Sequence, residues 1–409
     1  MMNRSHVVAF KKIGNYVQLI ARNTDFTAKA NSPIAQAVKQ SFSDSLLATS
    51  SIVSAPHPER KSVLVDANLL LLLNDIPMMA TSLEAAYRQP YYFDAKNTSF
   101  DSLRNADDAT GVNVSAHYAL ARLILPPMMP PNVPAPPSMP LPGTLEDVRS
   151  LFMGFYYNFA KLPEPMQPRI ADDRIGHFVT THFDFSDDYK PEPKLRHVNR
   201  WRLEKKDPAA QMSEPVQPII FWLDSNVPYK YHNSVKEGIL EWNQAFERIG
   251  FKDAIQVRYQ IDNSEFDTAD IRHASVRWFL GTDARFAIGP TQVDPRSGEI
   301  LDADIGVSDV WTRNPRRRAV EELPRPAIGN KREELQCNYA NEMSSELEFA
   351  MDLLEARGDL EPDSAEADAF VQATLKDVIT HEVGHTLGLR HNFRASTIYT
   401  LEQMASPEF

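Results

Sequence analysis

Residues 381–391 read His-Glu-Val-Gly-His-Thr-Leu-Gly-Leu-Arg-His. Their types and spacing suit metal-assisted hydrolysis. His381 and His385 are four apart, so an α-helix places both imidazoles on one face, one turn apart, where they can hold one ion. Glu382 follows the first of them and can reach a metal-bound water as general base. Gly388 lets the backbone turn sharply, with positive φ where needed. His391 then returns as a third ligand. Three protein ligands leave a tetrahedral zinc ion one position for water, which is the arrangement of a catalytic site and not of a structural one.

The short form, His-Glu-x-x-His, arises by chance in a chain of this length at roughly one to two per cent, and the added glycine and histidine cut that by roughly a thousandfold. The bland alternatives are a surface helix with scattered histidines and a degenerate, non-catalytic relative. Glu382 argues against the second, because it is dispensable for binding metal and needed for catalysis. The helix that must carry the motif is visible upstream. Val371, Leu375, Val378 and Ile379 form an apolar stripe at helical spacing. Asp363 or Ser364 can cap its start, and Gly388 is a natural residue just beyond its end. A helix over about 365–387 is predicted.

The extended pattern His-Glu-x-x-His-x-x-Gly-x-x-His resembles the metzincin clan of zinc endopeptidases. The wider run at 380–393, with Arg-His-Asn-Phe after Leu389, is similar to the large bacterial zinc-dependent metalloproteases with a Met-zincin catalytic domain. So are Arg-Trp-Arg-Leu-Glu-Lys-Lys-Asp at 200–207, Pro-Ile-Ile-Phe-Trp-Leu-Asp at 218–224, Glu241-Trp242-Asn243, Ala-Ile-Gly-Pro at 287–290 and Asp-Ala-Asp-Ile-Gly at 302–306. The resemblance implies that His381, His385 and His391 bind one catalytic Zn²⁺ and that Glu382 is the general base. It implies a peptide or protein substrate and a secreted or periplasmic location. Metzincins also carry a methionine-containing turn after the third histidine. Met404 is the sole methionine after His391, and its surroundings do not resemble that turn. The expectation is a catalytic domain truncated at its C-terminus.

With 409 residues, the chain is expected to hold two or three domains, and a hydrophobic content of 43% supplies real cores. A net charge of −12 argues against nucleic acid or anionic membrane as the main partner. The single cysteine, Cys337, cannot form an internal disulfide and reads as a plain thiol. No stretch reaches the ~18 apolar residues of a membrane span. No signal peptide is visible at the start, whose first fourteen residues lack a long apolar core.

The fold class expected is α+β, with a β-rich N-terminal domain over 1–210 followed by a metzincin-like domain over 211–409 built on a twisted mixed sheet and two long helices. In the first domain, 16–20, 62–65 and 176–185 read as strands, and 34–47 and 145–158 as helices. Nine of the thirty prolines lie in 126–142, which reads as an extended connector. In the second, 219–223 is a short apolar run like a buried strand. Val235, Ile239, Trp242 and Phe246 fall at helical spacing up to Gly250. Strands at 255–259 and 275–280 follow. Segments 285–293 and 299–307 then flank a turn sequence as a hairpin.

In the metzincin fold, the first hairpin arm is the antiparallel edge over the cleft. Its free backbone groups can take up an extended peptide as another strand, which makes Ala287, Ile288 and Gly289 candidate substrate-binding residues. Asp302 and Asp304 share one strand face and could help bind Ca²⁺; a solvated or hydrogen-bonded pair is the plainer reading. Arg313 and Arg316–Arg318 read as an exposed loop. His177 and His182 are too far out of phase to chelate together. Asp172 and Asp173 read as turn residues, with an inhibitory carboxylate as the alternative. Two other functions stay open: a zincin-fold binding or scaffold module without hydrolysis, and a hydrolase of a non-peptide amide.

Overall fold

The computed structural model describes residues 5–124, 141–260, 267–281, 287–309, 364–392 and 397–404, with isolated positions between 312 and 361 and at 406. The proline-rich segment lies almost wholly outside the described residues, as do Cys337, Arg313 and Arg316–Arg318. The chain is a mixed α+β protein with several sheets. It divides into two compact units, Met1–Lys161 with His182–Pro193, and Leu162–Thr181 with Lys194–Phe409. Residues 162–181 and 194–210, expected with the N-terminal domain, therefore pack with the second unit.

In the first unit, β1 (Val8–Ile13), β2 (Tyr16–Ala21) and β4 (Ser45–Ser51) form an antiparallel sheet. The short β3 (Phe26–Thr27) and helix α1 (Pro33–Ser41) lie between β2 and β4. The Ser32 hydroxyl caps α1 by accepting from the Ala35 N–H. Helices α2 (Ala67–Leu71) and α3 (Met79–Tyr87) follow. A second sheet joins β5 (Tyr92–Phe93), β6 (Ser99–Asn105), β7 (Ala109–Ala119) and β8 (Ser150–Ala160).

Three expectations fail here. The helix expected over 145–158 is strand β8, because its aromatic-rich run finds an antiparallel partner in β7 along all eleven residues. The helix expected over 34–47 ends at Ser41, and residues 45–47 instead join β4 beside β2. The strand expected at 62–65 is only an isolated bridge between Val65 and Ile52. Propensity was overruled each time by which partner the backbone could reach.

The strand expected at 176–185 is shorter, β9 (Val179–Asp184), and β10 (Lys194–Val198) follows it. The second unit is built on β11 (Ile219–Leu223), β12 (Ile255–Tyr259), β13 (Ser275–Phe279), β14 (Ala287–Ile288), β15 (Thr291–Asp294) and β16 (Glu299–Ser308). The sheet order is β12-β11-β13-β16-β14, parallel except for β14, and β15 also pairs antiparallel with β16. The hairpin arm expected over 285–293 is thus broken at Gly289-Pro290, since proline cannot donate to the ladder.

The first of the two long helices is likewise split into α4 (His232–Leu240) and α5 (Asn243–Arg248). The break falls where side chains are tied outside the helix. Trp242 donates to the Thr380 carbonyl, and Asn243 exchanges two hydrogen bonds with the backbone of Ile255. Helix α6 (Ala365–Thr386) is the long one, and α7 (Leu401–Met404) follows it. Phe221, Val235, Ile239, Ile305, Val378 and Ile379 are fully buried in the core between sheet and helices. Burying each such side chain stabilises the fold by about 1.5–3 kcal/mol.

Candidate metal centre

Helix α6 begins where expected. Ser364 caps it by accepting from the Ala367 N–H, and Glu366 and Asp368 sit in the first turn, where the helix dipole favours acids. Its buried face packs on α4 and on Trp242 just beyond it, each time at a glycine. A Cβ on Gly238 would lie 2.6 Å from the Lys376 carbonyl, and one on Gly384 2.8 Å from the Trp242 ring. The helix ends in a Schellman motif: Leu389 N–H donates to the Gly384 carbonyl and Gly388 N–H to that of His385. Gly388 has φ +96°, and a Cβ there would lie 2.2 Å from the Asn199 carbonyl, so only glycine fits.

This turn brings the three histidines together. One ring nitrogen from each of His381, His385 and His391 lies within 4.8 Å of the others, and the Nε2 atoms of His381 and His391 are 3.1 Å apart. His385 Nδ1 lies 2.9 Å from the Leu389 carbonyl, which can only accept, so Nδ1 carries the proton. Its Nε2 lone pair therefore faces the cluster, buried and without a hydrogen-bond partner among the described residues. Burial and the neighbouring histidines push His381 down to about 4, and burial likewise lowers His385. Both are thereby kept neutral, the form that can bind a metal. The donor set and its converging lone pairs fit a zinc ion.

Glu382 is fully buried, and neither carboxylate oxygen has a partner among the described residues. Burial pushes its carboxyl up to about 7. Gly289 lies against it. A Cβ on Gly289 would meet Thr386 Cγ2 at 3.0 Å, the Glu382 carbonyl at 3.1 Å and Glu382 Oε2 at 3.7 Å. Ala287 and Ile288 form the β14 ladder with Val307 and Gly306 at the sheet edge. Met404 is 45% exposed on α7.

Several supports of the site come from segments far from it in sequence. Residues 176–178 run antiparallel to 388–390: Phe178 N–H donates to the Gly388 carbonyl and Arg390 N–H to that of Gly176. The Phe178 ring meets His385 edge-on at 5.8 Å. Trp201 Nε1–H donates to the Thr386 carbonyl at 2.9 Å. The Tyr339 ring stacks on His381 at 3.9 Å, and its hydroxyl donates to Asp377.

The remaining candidates lie elsewhere. Asp172 pairs with Arg174 two residues on, as a turn residue does. Asp302 and Asp304 are both buried. Asp304 accepts from the Ser275 hydroxyl, and Asp302 Oδ1 has no hydrogen-bond partner among the described residues. Of the described residues, only the three histidines form a cluster of metal-binding groups with converging ligand atoms, so nothing supports a calcium site at this pair.

A family model described as a domain of unknown function (DUF5117) matches residues 1–206, and one described as Met-zincin matches 363–409. No curated protein and no solved structure matches the chain. No helix of the described residues is long and apolar enough to cross a membrane. The first match covers half of the chain and the second contains all three histidines, so the protein belongs to the DUF5117 family and carries a Met-zincin domain whose histidine triad resembles the zincin motif.

Proposed function

We propose that the protein is a zinc-dependent endopeptidase. One observation carries this reading: three histidine nitrogens converge within 4.8 Å on the helix that also carries Glu382, a buried carboxylate without a hydrogen-bond partner among the described residues. Bound zinc supplies Lewis acidity, which polarises a carbonyl and lowers the pKa of water toward about 7. The chain's own residues do the rest. Glu382 takes the proton of the attacking water at its carboxylate and returns it to the leaving amine. His381, His385 and His391 hold the metal as neutral imidazoles. The antiparallel edge at Ala287, Ile288 and Gly289 binds the substrate as an added strand. This favours extended peptides over other amides. The family resemblance supports a secreted or periplasmic site of action.

The test is Glu382→Gln, assayed with fluorogenic peptides and by elemental analysis. Stoichiometric zinc with turnover reduced by a factor of about 10²–10⁴ is expected. Unchanged turnover would remove Glu382 from the mechanism. Zinc bound without chelator-sensitive turnover in the unmutated protein would favour a binding module.

A further inference from the structure

The first unit holds a second constellation, remote in sequence from the histidine run and unused by the zinc chemistry. His117 on β7 is buried, and its Nδ1 lies 2.9 Å from Asp94 Oδ2. Its Nε2 lies 2.8 Å from the hydroxyl of Ser150, the exposed first residue of β8. A carboxylate only accepts, and hydrogen bonds from Asn97 and His117 lower the Asp94 pKa and keep it ionised. So Nδ1 carries the proton and Nε2 presents its lone pair to the serine hydroxyl. The order Asp–His–Ser, with the acid orienting the base and the base facing an accessible hydroxyl, is the relationship that activates a serine nucleophile.

The arrangement is held from outside. Asn97 Nδ2 donates to the same Asp94 oxygen at 2.7 Å. The Thr98 hydroxyl donates to the Asp94 carbonyl and accepts from the His117 N–H, while the Asp94 N–H donates to the His117 carbonyl. Ser150 is fixed through its own N–H to the Asp147 carbonyl, and the preceding Arg149 carbonyl accepts from Leu120. Strand register sets an apolar flank. Phe152 is the cross-strand partner of His117 and is 61% exposed, with its ring 4.7 Å from the imidazole. Tyr92 pairs with Ala119, as Ser150 does from the other side, and is 50% exposed. Alternation along β7 and β8 places these groups on one sheet face.

We propose that Ser150, His117 and Asp94 form a nucleophilic serine site, independent of zinc, that takes acyl groups from small activated esters with an apolar or aromatic part. The Ser150 oxygen bonds to the acyl carbon and passes its proton to His117 Nε2. The ester C–O bond breaks, and the alcohol or phenol leaves with that proton. Water then attacks the acyl-serine by the reverse transfers, releasing the acid.

The test uses the full chain with a fluorophosphonate and, separately, p-nitrophenyl acetate, followed by intact mass and peptide mapping. Attack on the fluorophosphonate breaks P–F and releases HF. One adduct per chain, mapped to Ser150 and absent from the heat-unfolded chain, is expected. Asp94→Asn should slow labelling by a factor of about 10²–10⁴, as should His117→Gln, and Ser150→Ala should abolish it. Circular dichroism checks each fold. If buried His117 does not tolerate glutamine, the part-exposed Asp94 carries the comparison. No adduct on Ser150 in the unmutated chain overturns the proposal and leaves a structural hydrogen-bond network. So does an adduct that Asp94→Asn forms at the unmutated rate. Zinc chemistry forms no serine adduct, so neither outcome depends on the peptidase reading.

Discussion

Gly289 and Glu382 are in contact: a Cβ on the glycine would lie 3.1 Å from the glutamate's carbonyl and 3.7 Å from its carboxylate. The sheet edge and the helix that carries the candidate base are thus packed at the one residue of the edge that has no side chain. Gly289→Val should cost about 1–3 kcal/mol by overpacking. Its effect should fall more on peptide turnover than on melting temperature, since the strain falls on the candidate base. Normal kcat/KM in the valine variant would separate this edge from catalysis.

Gly388→Ala should be the more damaging glycine change. It forces positive φ on a side chain and drives a Cβ to 2.2 Å from the Asn199 carbonyl. A loss of about 2 kcal/mol or more is expected in denaturant titration, together with weaker zinc binding, because the turn that returns His391 must shift. Unaltered zinc affinity would show that His391 does not depend on this turn.

Zinc should stabilise the folded chain by mass action, by about 2.7 kcal/mol at a free concentration one hundred times its Kd. Chelation should lower the melting temperature correspondingly, and His385→Ala should abolish the zinc-dependent increment. A melting temperature blind to chelator would contradict the metal site.

Burial together, with like charges adjacent, pushes Asp302 well above the usual carboxylate range and Asp304 up to about 6. A folded-state pKa raised above the unfolded value means stability that is present below about pH 4 and lost as pH rises through about 6. The stability of Asp302→Asn relative to the parent should therefore grow between pH 4 and 7, measured on zinc-free chains. The buried histidines titrate in both proteins, so the difference isolates the carboxyl pair. A constant difference would show that Asp302 titrates normally in the fold.

Where the determinants were local, the sequence was enough. Ser364 as a cap, the stripe at Val371, Leu375, Val378 and Ile379, two histidines four apart and Gly388 as the stop specify α6 and its candidate ligands without reference to the rest of the chain. The apolar run of β11 and the alternation of β12 did the same for the sheet. The 145–158 segment misread because helix and strand were both locally acceptable, and the pairing of β8 with β7 decided between them. The contacts that support the site were invisible for the same reason. Phe178 beside His385, Trp201 on Thr386 and Gly289 on Glu382 join residues roughly a hundred or two hundred positions apart. So too His117 between Asp94 and Ser150, which no spacing announces. The sequence by itself determined which residues can ligate zinc and which helix carries them, because backbone periodicity is a local property. Only the tertiary structure decided what braces that helix and which distant groups meet, because those contacts depend on how the strands pair.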